Sequence, residues 1–192
     1  MDEMKNKVKK IIEESIGVKK ALLSGDNLEL IEKMAKAMIE SLRNGGKILV
    51  FGNGGSAADS QHMAAELVGR FKKERKALPA IALTTNTSTI TALSNDYGYD
   101  ISFKRQIEAL GEKGDVAVGI STSGAAKNVT CALKKARDLN LLTVALTGKD
   151  GGKIKKIADL ALVVKSNNTP RIQEAHILVI HVLCELIEDG QA

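Results

Sequence analysis

The sequence has no tryptophan, and only three phenylalanines and two tyrosines. With so few rings, successive bases have little to stack on, which argues against a platform for single-stranded nucleic acid. Cysteine is as scarce. Cys131 and Cys184 form no C-x-x-C pair and sit in apolar, helix-like contexts. They read as two free, buried thiols in a reducing compartment rather than as a disulfide. No apolar run approaches the ~18 residues of a membrane span, and Met1 to Lys10 is charged, without the apolar stretch of a secretory signal. The expected location is the cytoplasm, with no membrane partner. No internal repeat, low-complexity stretch or interdomain linker interrupts the chain.

What is present is an ordinary aliphatic core. The 192 residues are 44% hydrophobic, enough for one sizeable domain that needs no disulfide. The expectation is a single domain over 1–192. The net charge of +5 suits an anionic small substrate. The basic residues are scattered, from Lys7, Lys9 and Lys10 through Lys19 and Lys20 to Arg70–Lys76, and read as solvated helix faces rather than a nucleic-acid stripe.

Residues 1–44 read as two N-terminal helices. Val8, Ile11, Ile12 and Ile16 recur at helical spacing, as do Leu28, Ile31, Met34, Ala35, Met38, Ile39 and Leu42. Gly25-Asp26-Asn27 breaks the pattern, with Asp26 or Asn27 as a cap. From there strands and helices alternate. Short apolar strands are predicted at Lys47–Phe51, Ala80–Leu83, Asp115–Ile120, Leu141–Leu146 and Leu160–Val164. Helices are predicted from the first loop to Leu67, from the third strand's loop to about Leu139, and from Thr169 to about Glu188 with Pro170 in the first turn. Such alternation means a parallel sheet covered on both faces.

Two strand-to-helix junctions carry the chemistry: Gly52-Asn53-Gly54-Gly55-Ser56 after the first strand, and Ser121-Thr122-Ser123-Gly124 after the third. In parallel α/β folds ligands sit at the carboxyl ends of the strands, and each junction opens a helix whose free N–H groups favour an anion. The first loop lacks both the G-x-G-x-x-G pattern with a distant acid and the Gly-Lys-Ser/Thr of a triphosphate loop. A sugar phosphate is therefore favoured over a nucleotide.

These two loops, Gly52–Asp59 and Ile120–Gly124, resemble those of the sugar isomerase (SIS) domain family, whose fold is a five-stranded parallel sheet in a three-layer α/β/α sandwich. His62-Met63-Ala64-Ala65-Glu66-Leu67-Val68-Gly69-Arg70, Asn95-Asp96-Tyr97-Gly98, Leu146–Gly152 and Arg171–His181 narrow the resemblance to the branch that acts on heptose phosphates. It covers about Leu28 to Ile187. It implies conversion of D-sedoheptulose 7-phosphate to D-glycero-D-manno-heptose 7-phosphate, toward nucleotide-activated heptoses of surface glycans such as lipopolysaccharide. It assigns Glu66 as base and His181 as acid. It implies substrate contacts from Asn53, Gly54, Gly55, Ser56, Glu66, Asn95, Asp96, Ser121, Thr122, Ser123 and Gln173, and one zinc per subunit on His62, Glu66, Gln173 and His181. One departure stands out: where many relatives carry a hydroxyl two residues after Gly124, this chain has Ala126. His176 matches no catalytic position and reads as packing.

Spacing adds an argument of its own. His62 and Glu66 are i and i+4 on the helix that starts at the first loop, so they share a face near the bound sugar. Gln173 and His181 are eight residues apart, about 12 Å along a straight helix and ~80° around it. Either Gln173 lies at a bent first turn or the two residues serve sites on different subunits. The last helix is apolar most of the way round, and the N-terminal helices are amphipathic, which together predict a homo-oligomer, as in the tetramers of similar enzymes. The competing expectation is a non-catalytic SIS module that binds a protein such as a replication initiator; retention of Glu66 and His181 favours the enzyme.

Overall fold

The computed structural model describes residues 2–191. Five parallel strands, β1 (Ile48–Gly52), β2 (Ala80–Ala82), β3 (Val116–Ser121), β4 (Leu142–Gly148) and β5 (Leu160–Val164), form one sheet in the order β2-β1-β3-β4-β5. Successive side chains along β1 point to opposite faces. Ile48 and Val50 join one core with Met34, Met38, Met63, Leu67, Ile180 and Leu183. Leu49 and Phe51 join another with Phe103, Ile107, Val129 and Leu133. Helices α2 (Gly25–Arg43), α3 (Gly55–Val68) and α7 (Thr169–Gly190) thus cover one face of the sheet. The other is covered by α5 (Ser102–Leu110) and α6 (Lys127–Asp138). The architecture is the expected α/β/α sandwich.

Several boundaries differ from the expectation. The second of the two N-terminal helices belongs to the core: Ile31, Met34, Ala35, Met38 and Leu42 of α2 lie beneath the sheet. Only α1 (Asp2–Lys20) is an extension, with no buried residue. The break falls at Ala21–Ser24 rather than at Gly25-Asp26-Asn27. Ser24 is the N-cap residue, without a side-chain cap bond, and Asn27 instead donates to the Ala21 carbonyl at 3.1 Å. Two helices lie outside the expected ones: α4 (Thr87–Tyr97), which buries no residue and so shows no apolar stripe, and the nine-residue α5.

The order of the strands creates the site. From β1 the chain goes to β2 on one side, then returns to place β3 on the other, so the crevice at the carboxyl ends of β1 and β3 is a topological switch point. Both expected loops flank it.

Candidate active site

The first loop enters α3 through Gly54, whose φ of 56° an L side chain would resist. The N–H groups of Gly54 and Gly55 have no partner among the described residues, whereas Ser56 N–H is taken by the Asn53 carbonyl at 3.0 Å. An open pair of amides at a helix N-terminus suits an anion. The Asn53 side chain is already engaged. Its Oδ1 accepts from Tyr99 OH at 2.7 Å and from Asn128 Nδ2 at 2.8 Å, and its Nδ2 donates to Asn128 Oδ1 at 2.9 Å. Asn53 therefore ties the first loop to the start of α6, and what it offers a ligand is backbone. Neither Asn128 nor Tyr99 belongs to a local motif, so the sequence does not mark them.

In the second loop the Ser121 and Ser123 hydroxyls face each other at 3.4 Å, and Ser123 Oγ accepts from Ala125 N–H at 3.2 Å. Ser121 is buried, while Thr122 and Ser123 are half-buried. Gly124 (φ 64°) is packed on Gly151 and Gly152 of the turn after β4. Beside this loop a cavity of about 560 Å³ is lined by Ser123, Asp150, Lys153, Lys155 and Lys156, an excess of positive charge next to the loop.

Ala126 is the N-cap residue of α6 and has no side-chain cap bond. A serine there would supply the missing oxygen, worth about 0.5–2 kcal/mol at an N-cap. Ala126→Ser is expected to raise the thermal midpoint by a few degrees and to tighten inorganic phosphate binding in calorimetric titration. A loss of stability together with unchanged affinity would contradict both effects.

The candidate acid–base residues meet one turn and more beyond the first loop. His62 Nε2 lies 3.2 Å from Glu66 Oε1 on the same face of α3, and 2.9 Å from His181 Nε2 on α7. A neutral imidazole nitrogen either donates or accepts, never both. His62 Nε2 therefore cannot serve Glu66 as donor and His181 as acceptor together, and a cation shared by the three side chains would relieve the conflict. Asp59, one turn before His62, has a buried Oδ2 with no partner. Burial pushes this carboxyl up to about 6, against the pull of His62. It lies inside the resembling motif, but only its burial marks it as unusual.

Gln173 is the candidate that lies apart. It sits inside α7, not at a bent first turn, and its carboxamide rests on Gly55: a Cβ at that glycine would stand 2.3 Å from Gln173 Nε2. Both Gln173 and His181 therefore face α3, but they reach it at Gly55 and His62, about 10 Å apart along its axis. Eight residues of helix impose this separation. Asn95 and Asp96 are exposed at the end of α4 and hydrogen-bond to each other at 2.9 Å, not to the other candidates. His176 is wholly buried, with Nε2 3.0 Å from the Thr147 carbonyl, and burial lowers it to about 4.

Among the described residues no group of three or more His, Cys, Asp and Glu side chains is arranged to hold a metal ion as it stands. The donor types of His62, Glu66 and His181 nevertheless suit zinc. Two imidazole nitrogens on a tetrahedral zinc lie about 3.3 Å apart, so the 2.9 Å pair would open by a few tenths of an ångström.

Residues 13–148 match the SIS domain model. The chain is 60% identical over 161 residues to a phosphoheptose isomerase of Aliarcobacter butzleri, covering 84% of this chain and 85% of that one. It is 56% identical over 186 residues to that of Aquifex aeolicus, covering 97% of each. Its fold superposes on the phosphoheptose isomerase structure from Neisseria gonorrhoeae with a TM-score of 0.89 at 46% identity, covering 97% of this chain and 99% of that one. With two anion-ready loops at the switch point and a carboxylate–imidazole cluster beside them, the chain belongs to the SIS domain family and, within it, to the phosphoheptose isomerases.

Proposed function

We propose that the chain converts D-sedoheptulose 7-phosphate to D-glycero-D-manno-heptose 7-phosphate, supplying nucleotide-activated heptoses for surface glycans. The observation that carries this reading is the meeting of Glu66 and His181 at His62, beside the phosphate loops. The amides of Gly54 and Gly55 and the hydroxyls of Ser121, Thr122 and Ser123 hold the phosphate. The Glu66 carboxylate takes a proton from C1 of the ketose while His181 gives one to O2, leaving an enediol. His181 then recovers the O1 proton as Glu66 returns its proton to C2. Nothing is gained or lost overall. Gln173, over the first loop, orients the sugar. His62, Glu66 and His181 are the residues that would hold a zinc ion; Gln173, the fourth donor implied by the resemblance, rests instead on Gly55, about 10 Å along α3 from His62. When bound, zinc would polarise the sugar oxygens. Purified protein incubated with ketose phosphates is expected to form an aldose from the heptulose phosphate in preference to hexulose and pentulose phosphates. Formation of no aldose from any of them would refute the reading.

The enzyme is proposed to work in the cytoplasm as a homotetramer. No helix among the described residues is long and apolar enough to cross a membrane. Met4, Val8, Ile11, Ile12 and Ile16 of α1 are exposed, as are Leu178, Val182 and Leu186 along α7. These are apolar stripes that association would bury. Because Glu66 and His181 both meet His62 within one chain, mixed Glu66→Gln and His181→Ala subunits are expected to show no recovered activity after verified exchange. Recovery would place the pair across an interface, and a monomeric mass in solution would refute the tetramer.

A further inference from the structure

Between α3 and β2 the chain runs through residues 69–79 without regular structure, yet this segment is pinned at several points. Glu188, near the end of α7, is only 2% exposed. Its carboxylate accepts from the N–H groups of Phe71 at 2.9 Å and of Lys72 and Lys73 at 2.8 Å. Arg75 Nε stands 3.2 Å from Glu188 Oε1. The same guanidinium donates to the carbonyls of Glu66 at 2.8 Å, Leu67 at 2.9 Å and Gly69 at 3.1 Å. Burial disfavours charge on Glu188, but the three N–H groups and Arg75 outweigh it and hold the carboxyl below its usual range. The clamp ends on one apolar side chain: the Phe71 ring lies 5.6 Å from the His181 ring, tilted by 34°.

Taking a carboxylate and a guanidinium out of water is costly, and an apolar pair of similar volume would often serve stability as well. Here the buried ions fix both the last turn of the helix that carries Glu66 and the ring that backs His181. We propose that Glu188 and Arg75 form a positioning clamp that holds Phe71 against His181 and so fixes the imidazole toward His62 and Glu66. This inference rests on the reading of His181 as the acid. Phe71 acts through His181 and is a positioning residue, not a catalytic one.

The test uses the full chain with Phe71→Ala, Phe71→Leu, Phe71→Tyr and Glu188→Gln, and Arg75→Lys in place of the last if it does not fold. A misplaced catalytic group costs up to about 10²-fold in rate. The Ala and Leu variants are expected to lose about tenfold or more in kcat with KM little changed, and Tyr to restore it. The His181 ring protons, assigned by their loss in His181→Gln, are expected to shift in proton NMR when Phe71 is removed, and also in Glu188→Gln, where Phe71 is intact. Unshifted ring protons in Glu188→Gln, or wild-type kcat in Phe71→Ala, would overturn the clamp. If the unsubstituted chain isomerises no heptose phosphate, the functional reading fails, and the NMR shifts still decide whether the clamp orients His181.

Discussion

Glu66→Gln is expected to lower turnover by about 10²–10⁴-fold, the range that a positioned acid or base supplies. In barrier height this is about 2.7–5.4 kcal/mol. The amide keeps the shape of the side chain and can still face His62 Nε2, which lies 3.2 Å from the carboxylate, but it cannot take a proton from carbon. Folding and sugar-phosphate binding are expected to persist, because the proposed phosphate contacts lie in the loops at the ends of β1 and β3, away from Glu66. Zinc content measured on the wild type and on the variant separates loss of the base from loss of any bound metal. Wild-type turnover with unchanged metal content would remove Glu66 from the base's role.

Gly124→Ala is expected to be as damaging by a different route. The residue has φ of 64°, where an L side chain costs about 1–2 kcal/mol. A Cβ would stand 2.2 Å from the Gly151 carbonyl oxygen, a backbone atom that cannot swing aside. The loop after β3 and the turn after β4 would have to part. A fall in thermal midpoint of at least ~4 °C is expected, together with loss of measurable inorganic phosphate binding. Gly17→Ala is the control: nothing lies within 4 Å of that site on α1, so a neutral or stabilising effect is expected. An unchanged midpoint in Gly124→Ala would show that the turn yields freely.

Much of this was legible in the chain. The five strands are legible because each is a short apolar run, and the inner ones, such as Ile48–Gly52 and Val116–Ser121, are buried on both faces, whereas the edge strands β2 and β5 are partly exposed. The two loops were legible because glycine and serine cluster where strand passes to helix. His62 and Glu66 shared a face by their spacing alone. Other features left no local trace. α4 buries nothing, so no stripe marks it. The amide pair of Asn53 with Asn128 joins residues 75 positions apart, and the Glu188 contacts to the 71–73 backbone span more than 110.

The fold class, the two glycine- and serine-rich junctions and the helix that carries His62 and Glu66 were readable from the chain, because periodicity, glycine placement and i,i+4 spacing are local properties. Tertiary structure decided which distant groups meet. The packing of α7 on α3 brought His181 to His62 while leaving Gln173 at Gly55. It also drew Phe71 onto His181 through a buried carboxylate at the far end of the chain. Contacts of this kind depend on how whole helices dock, and helix docking is set by the shared core beneath them rather than by any residue's neighbours in sequence.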